Sequence, residues 1–148
     1  TYGGQNVSES ITGASGGASA TNTDFLTVTR ISASAATSVS GVIVGTNAKA
    51  GSRWVRLDSW AFAQTAVQVD VSGTANFTVQ TTMDDPNSPT NPVAIGSVVW
   101  LNALDTNLTG SSSVSGYIAY SPTFVRILLN SGTGSATATF AQFGNVPL

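Results

Sequence analysis

Apolar and polar residues alternate with a period of two along much of the chain, and this alternation limits the fold more than any other feature. In 66–72 every second residue is valine and the residues between are polar. In 77–84 the apolar register holds Phe77, Val79 and Met83, with Thr81 as its only polar residue. Such alternation buries one face of a strand and leaves the other in solvent. We therefore predict two strands, joined as a hairpin by Gly73-Thr74-Ala75.

The rest of the chain also favours strands over helices. Segments 123–129 and 135–143 alternate in the same way, and the glycine-bearing linker 130–134 predicts a second hairpin. Further strands are predicted at 24–31, 39–44, 53–62, 97–101 and 114–120. Eight or nine short strands without an amphipathic helix indicate two packed sheets or a barrel. We predict an all-β, two-sheet β-sandwich of jelly-roll type over residues 24–148.

The first 23 residues differ from the rest of the chain. The stretch from Gly13 to Ala20 contains only small, uncharged residues, which offer little apolar surface to bury. We predict an extended N-terminal arm over 1–23. It either stays disordered or becomes ordered against a partner.

Charged residues make up only 8% of the chain, against about 25% in an average soluble protein. Such a surface suits either a secreted β protein or a subunit whose surface is covered by neighbours. There is no cysteine and no histidine, which excludes disulfides, histidine-based triads and most zinc sites. Five basic residues are too few for a nucleic-acid interface, and no apolar run reaches the length of a membrane span. We therefore expect neither nucleic acid nor membrane as a partner.

Acidic residues give two weak candidates for chemistry. Asp84, Asp85 and Asn87 offer oxygen ligands for calcium within one loop, but the glycine and terminal glutamate of an EF-hand are missing. The alternative is plain turn formation. A glycosidase needs two acids, for which Asp58 and Asp70 are the candidates, but Arg56 shares a strand face with Asp58 and predicts a surface ion pair. We expect no enzymatic activity and no cofactor.

Segment 53–62 concentrates two of the three tryptophans. In an extended strand its larger aromatic residues share one face with an arginine and an aspartate, which is typical of an interface or a sugar platform. The alternative is that a bulge turns the tryptophans into the core. The predicted interface set is Tyr2, Trp54, Arg56, Trp60, Phe62 and Asp85.

Residues 84–144 have a distinctive composition and loop order, which is carried by three stretches: 83–89, 97–101 and 124–135. This part of the chain, less than half of it, resembles small virion structural proteins of tailed bacteriophages. The resemblance implies a β-sandwich or jelly roll that decorates or cements the capsid exterior. It also implies that the chain binds across major capsid protein subunits, as a homo-oligomer. The rival hypothesis is a carbohydrate-binding or adhesin module, such as part of a phage tail or fibre, that uses the aromatic face of 53–62.

Overall fold

A computed structural model describes residues 6, 8–13, 17–21, 25, 27–35, 45, 49–58 and 64–142. By contacts the chain divides into two units, and both sheets lie in the unit that begins at Ala48. In the other unit the described residues contain no helix or strand, and the Ser19 hydroxyl donates to the Thr12 carbonyl at 2.9 Å. The predicted strand at 24–31 is wrong for its described residues, and 39–44 lies outside the described residues. The arm over 1–23 and its boundary stay predictions.

The described residues of the second unit form short strands and two single-turn 3₁₀ helices. The strands are β1 (Ala50–Gly51), β2 (Val55–Arg56), β3 (Thr65–Ser72), β4 (Ala75–Thr82), β5 (Leu101–Asn102), β6 (Thr109–Gly110), β7 (Val114–Ile118), β8 (Phe124–Gly132) and β9 (Ser135–Gln142). The 3₁₀ helices are Ile95–Ser97 and Thr106–Leu108. Within the part of the chain described, no helix is long and apolar enough to cross a membrane.

The strands form two antiparallel sheets. In the larger sheet β8 and β4 lie at the centre; β1 and β2 both pair with β8, and β5 and β6 both pair with β4. The smaller sheet has the order β7-β3-β9. This arrangement confirms the predicted all-β, two-sheet β-sandwich. The finer jelly-roll assignment stays a prediction.

Both predicted hairpins are wrong, because each short turn carries the chain from one sheet to the other. β3 pairs with β9 over eight residues, and β4 pairs with β8 over its whole length. Residues 73–74 and 133–134 therefore form two corners between the sheets, and we call them the corner turns. They lie against each other, since the Gly134 N–H donates to the Thr74 carbonyl at 2.7 Å. Period-two alternation fixes which face of a strand is buried but not which strand lies beside it.

The core lies between the sheets and follows the alternation. Its buried residues are Leu57, Val67, Val69, Phe77, Val79, Leu108, Ile118, Val125 and Ile127. Thr81 occupies a core position, as predicted, and its hydroxyl lies 2.7 Å from the hydroxyl of Tyr120. Met83 does not belong to the core: β4 ends at Thr82, and Met83 is 62% exposed.

Candidate interaction surfaces

An aromatic cluster covers the outer face of the larger sheet. Val125 and Ile127 of β8 point into the core, so alternation places Phe124 on the outer face, yet Phe124 is fully buried. The Trp54 ring covers it, with ring centroids 5.8 Å apart, and packs edge-on against Trp100 at 5.0 Å and 72°. The outer face therefore carries a small second core formed by β2, β8 and the residues before β5.

Two arginines are fixed in this cluster. The Arg126 guanidinium lies 4.3 Å from the centre of the Trp100 ring, and it donates to the Gln80 side-chain oxygen at 2.8 and 2.9 Å. The Arg56 guanidinium lies 5.2 Å from the centre of the Phe124 ring. A cation over an aromatic face is attracted by the ring quadrupole, so both arginines help to hold the rings in place.

The loop that joins β4 to β5 is tied down through its two aspartates. Asp85 accepts hydrogen bonds from Arg56 at 2.7 Å and from the Asn87 N–H at 2.9 Å. Asp84 accepts from the Val99 N–H at 2.7 Å. The hydrogen bond from Arg56 holds the pKa of Asp85 below its usual value; burial opposes this, and the Asn87 N–H adds to it.

These contacts bear on the weak calcium candidate. Asp84, Asp85 and Asn87 do lie in one loop, but the carboxylate oxygens face main-chain and guanidinium donors. Among the residues that the structure describes, no three acidic or other metal-binding side chains come together. The Asn87 N–H bond to Asp85 is the turn geometry that was the alternative.

Of the predicted interface set, the structure brings Trp54, Arg56 and Asp85 together. Tyr2, Trp60 and Phe62 lie outside the described residues. The predicted pairing of Arg56 with Asp58 stays a prediction, whereas the salt bridge to Asp85 joins residues 29 positions apart.

Sequence reasoning missed Trp100, Phe124 and Arg126 as members of this cluster. The one available signal was the placement of Arg126 between two large apolar residues on the outer face of a strand. That pattern indicates a covered outer face.

The two acids considered for a glycosidase lie far apart. Asp70 pairs with Thr137, and the main chain of Asp58 bonds the side chain of Gln142, five residues further along β9. At about 3.4 Å per residue the two acids are separated by roughly 17 Å. Glycosidase pairs lie within about 10 Å of each other, so these two do not form one.

Exposed apolar side chains concentrate around β5. Met83, Val99, Leu101 and Leu104 are 62%, 62%, 66% and 77% exposed, and we call them the β5 rim. Leu101 pairs with Thr81 of β4, and the Val99 N–H bonds the residue after Met83. Two aspartates flank the rim in sequence, Asp84 after Met83 and Asp105 after Leu104, and each accepts a main-chain hydrogen bond. Large apolar side chains grouped on a surface mark contact sites.

Comparison of the chain with protein-family models, with characterised proteins and with solved structures finds no match. The resemblance to phage virion proteins therefore stays a prediction. Function has to be argued from the surfaces described above.

Proposed function

We propose that this chain is a structural virion protein that decorates or cements a bacteriophage capsid. It would bind across major capsid protein subunits on the outer surface, as a homo-oligomer and without catalysis. The observation that carries the proposal is the β5 rim, four exposed apolar side chains in and around β5 on a protein with very few charges. A surface of this kind is stabilised when a neighbouring protein covers it.

The strength expected of one copy is modest. Burying a Leu, Val or Met side chain completely is worth about 1.5–3 kcal/mol, and the rim holds four such residues that are more than half exposed. Association costs an estimated 4–15 kcal/mol in lost freedom, so one rim alone gives weak binding. A symmetric oligomer that contacts several capsid subunits gains affinity through multivalency. Cementing therefore requires both a capsid site and self-association.

The arrangement of charged groups supports a structural role. Arg56 and Asp85 are paired, Arg126 is held by Gln80 and Trp100, and the two acids considered for hydrolysis are widely separated. Groups that fix the protein's own loop are poorly placed to act on a substrate. We propose no cofactor and no reaction.

The experiment is a binding assay with shells that were assembled without this chain. Leu101→Ser combined with Leu104→Ser is expected to weaken binding at least tenfold, because both side chains leave the rim. The matched control is Tyr117→Ser, which removes a 54% exposed aromatic ring from the smaller sheet. Binding should change little between low and high salt, since the rim side chains are apolar and the neighbouring Asp84 and Asp105 already accept main-chain hydrogen bonds. Undiminished binding of the rim variant, or shells whose cryo-EM maps show no density for the chain, would reject the proposal.

The carbohydrate-binding alternative has less support from the geometry. A sugar platform needs an open ring face, whereas Trp54 is packed edge-on against Trp100 and the Trp100 face is occupied by Arg126. Tryptophan fluorescence titrated with a broad glycan panel tests it directly. A saturable change with one sugar class, lost in Trp54→Ala, would favour this function over capsid binding.

A further inference from the structure

The β9 strand forms an unusually bare sheet edge. It pairs with β3 along all eight residues, and among the described residues no strand pairs with its other side. Its sequence from Ser135 to Gln142 contains no charged residue and no proline. Natural proteins usually guard such an edge with lysine, proline, a bulge or a covering segment, because unpaired main-chain groups recruit another strand.

The direction of the main-chain groups on β9 follows from its neighbour. The Val71 N–H donates to Ser113 beside β7, so the N–H of the preceding residue, Asp70, points to the other side, towards β9. Asp70 pairs with Thr137, whose main-chain groups point back to β3. Alternation then directs the N–H and C=O of Ala138, and of every second residue around it, outwards. The edge offers a regular row of donors and acceptors.

The opposite edge of the same sheet is closed. There the outward Tyr117 N–H donates to the carboxylate of Asp105 at 3.1 Å. The same carboxylate lies 2.5 Å from where a Cβ on Gly116 would be, so it sits directly against β7. The 3₁₀ helix Thr106–Leu108 begins at this aspartate, which accepts from the Asn107 N–H. One edge is therefore covered by the protein itself, and the β9 edge has no equivalent device among the described residues.

Among the described residues the smaller sheet is also one strand narrower on the β9 side. There the larger sheet is four strands wide and the smaller is three. β2 lies on this side, since Gln142 of β9 bonds the main chain of Asp58 just after β2. Val55 of β2 pairs with Val125 and shares its core-facing side, yet Val125 is fully buried and Val55 is 42% exposed. A further strand beside β9 would cover Val55.

We propose that Thr27–Ile31 of a second copy of this chain supplies that strand. The segment reads Thr-Val-Thr-Arg-Ile, which has high β-propensity, but in this structure it belongs to no strand. Its Val28 and Ile31 are 54% and 55% exposed. In a strand that pairs with β9 and turns Val28 towards Val55, alternation places Arg30 on the same side at the end of the segment. Thr27, Thr29 and Ile31 would lie on the outer side, beside the exposed threonine face of β9. The inference deepens the homo-oligomer part of the proposed function by naming the interface.

Sedimentation of the full chain over a range of concentrations tests the interface with two variants. Val28→Asp places a charge over Val55 and lies outside both sheets, so it leaves the sandwich intact. Ala138→Pro removes an outward N–H from the β9 edge. Both are expected to be monomeric at concentrations where the wild type associates. The controls are Ile11→Asp, a site in the same unit that is 47% exposed against 54% for Val28, and Ser115→Pro, whose N–H points outwards on the β7 edge by alternation from Tyr117. Both should associate as the wild type does.

Mixing the two variants tests whether the strand is exchanged between copies. Val28→Asp keeps an intact β9, and Ala138→Pro keeps an intact Thr27–Ile31, so a 1:1 mixture should form a heterodimer that neither variant forms alone. A wild type that is monomeric throughout, or association unchanged by both variants, overturns the inference. Intrachain pairing also overturns it: the wild type would then be monomeric, and Ala138→Pro would raise hydrogen exchange at 27–31 because that segment pairs with β9 of the same chain. Monomeric chains that still bind shells would overturn this interface and the homo-oligomer part of the proposed function, while leaving binding to the capsid standing.

Discussion

Replacing Gly132 by alanine is expected to destabilise the sandwich more than any other glycine-to-alanine change considered below. Gly132 has a φ of +112°, which L-residues rarely adopt. A Cβ at this position would lie 2.2 Å from the carbonyl oxygen of Thr74 and 2.9 Å from the Cα of Ala75. Both are main-chain atoms, one in the first corner turn and one at the start of β4, where Ala75 pairs with Gly132. The Gly134 N–H already bonds the same carbonyl, so these atoms can move only if the ends of β4 and β8 separate.

The magnitude combines two terms. Forcing a side chain into the left-handed region costs roughly 1–2 kcal/mol, and overpacking a well-packed site costs about 1–3 kcal/mol. Gly132→Ala should therefore lower the free energy of unfolding by about 2–5 kcal/mol. For a domain of this size each kcal/mol lowers Tm by about 4–8 °C, so the midpoint should fall by roughly 10 °C or more.

Two matched variants separate the terms. Gly110 has a φ of +149° but no atom within 4 Å of a Cβ, so Gly110→Ala should show the strain alone, at about 1–2 kcal/mol. Gly96 has neither feature, and Gly96→Ala should lie within about 0.5 kcal/mol of the wild type. Urea unfolding followed by tryptophan fluorescence and circular dichroism measures all three. Equal stability of Gly132→Ala and Gly96→Ala would show that Gly132 is not packed against residues 74–75, contrary to its pairing with Ala75 in the register of β4 and β8.

Three further predictions concern single contacts. Tyr120→Phe removes the hydroxyl that bonds the buried Thr81, and should cost about 1–2 kcal/mol in urea unfolding; no loss would contradict the contact. Asp85→Asn should lower stability by under about 1 kcal/mol at pH 7, because Arg56 is more than half exposed. Since the pKa of Asp85 is lowered by folding, its contribution is present above about pH 4 and disappears as the pH falls through the folded pKa, so thermal melts of the two proteins should converge in acid. Phe124→Ala should cost about 3–5 kcal/mol and change tryptophan fluorescence, whereas a surface-like loss below 1 kcal/mol would show that the outer face is uncovered.

The faces of the long strands could be predicted from the sequence alone. Val67 and Val69 are buried, and Gln68 and Asp70 between them are exposed, as the alternation indicates. The same alternation is present whether two consecutive strands pair with each other or lie in opposite sheets. Strand pairing depends on the two corner turns, where a positive φ and main-chain contacts over fifty residues apart in sequence set the geometry. Local patterns do not contain that information.

The candidate site was predicted less completely, for a related reason. Arg56 has a carboxylate two residues away in sequence, but the salt bridge that the structure shows goes to Asp85, because the loop after β4 returns over the outer face of the larger sheet. That return also covers Phe124, which a half-exposed strand would leave in solvent. A loop that closes onto a distant strand has no periodic signal in the sequence. Trp54 could be predicted as a contact residue, but its contacts are within the chain.

The placement of charge explains how a protein with so few charged residues can still present binding surfaces. Arg56, Asp85 and Arg126 are used to fix the loop and the rings on the outer face of the larger sheet. Exposed charged side chains remain elsewhere among the described residues, at Arg30, Lys49, Arg53, Asp58 and Asp70. Neither the β5 rim, which offers apolar side chains, nor the β9 edge, which offers main-chain donors and acceptors, contains one. These surfaces suit different contacts, since a rim is covered by a complementary apolar surface and an edge by a strand. Because the rim and the β9 edge share no residues, the two proposed contacts, with a capsid shell and with a second copy, do not compete for the same surface.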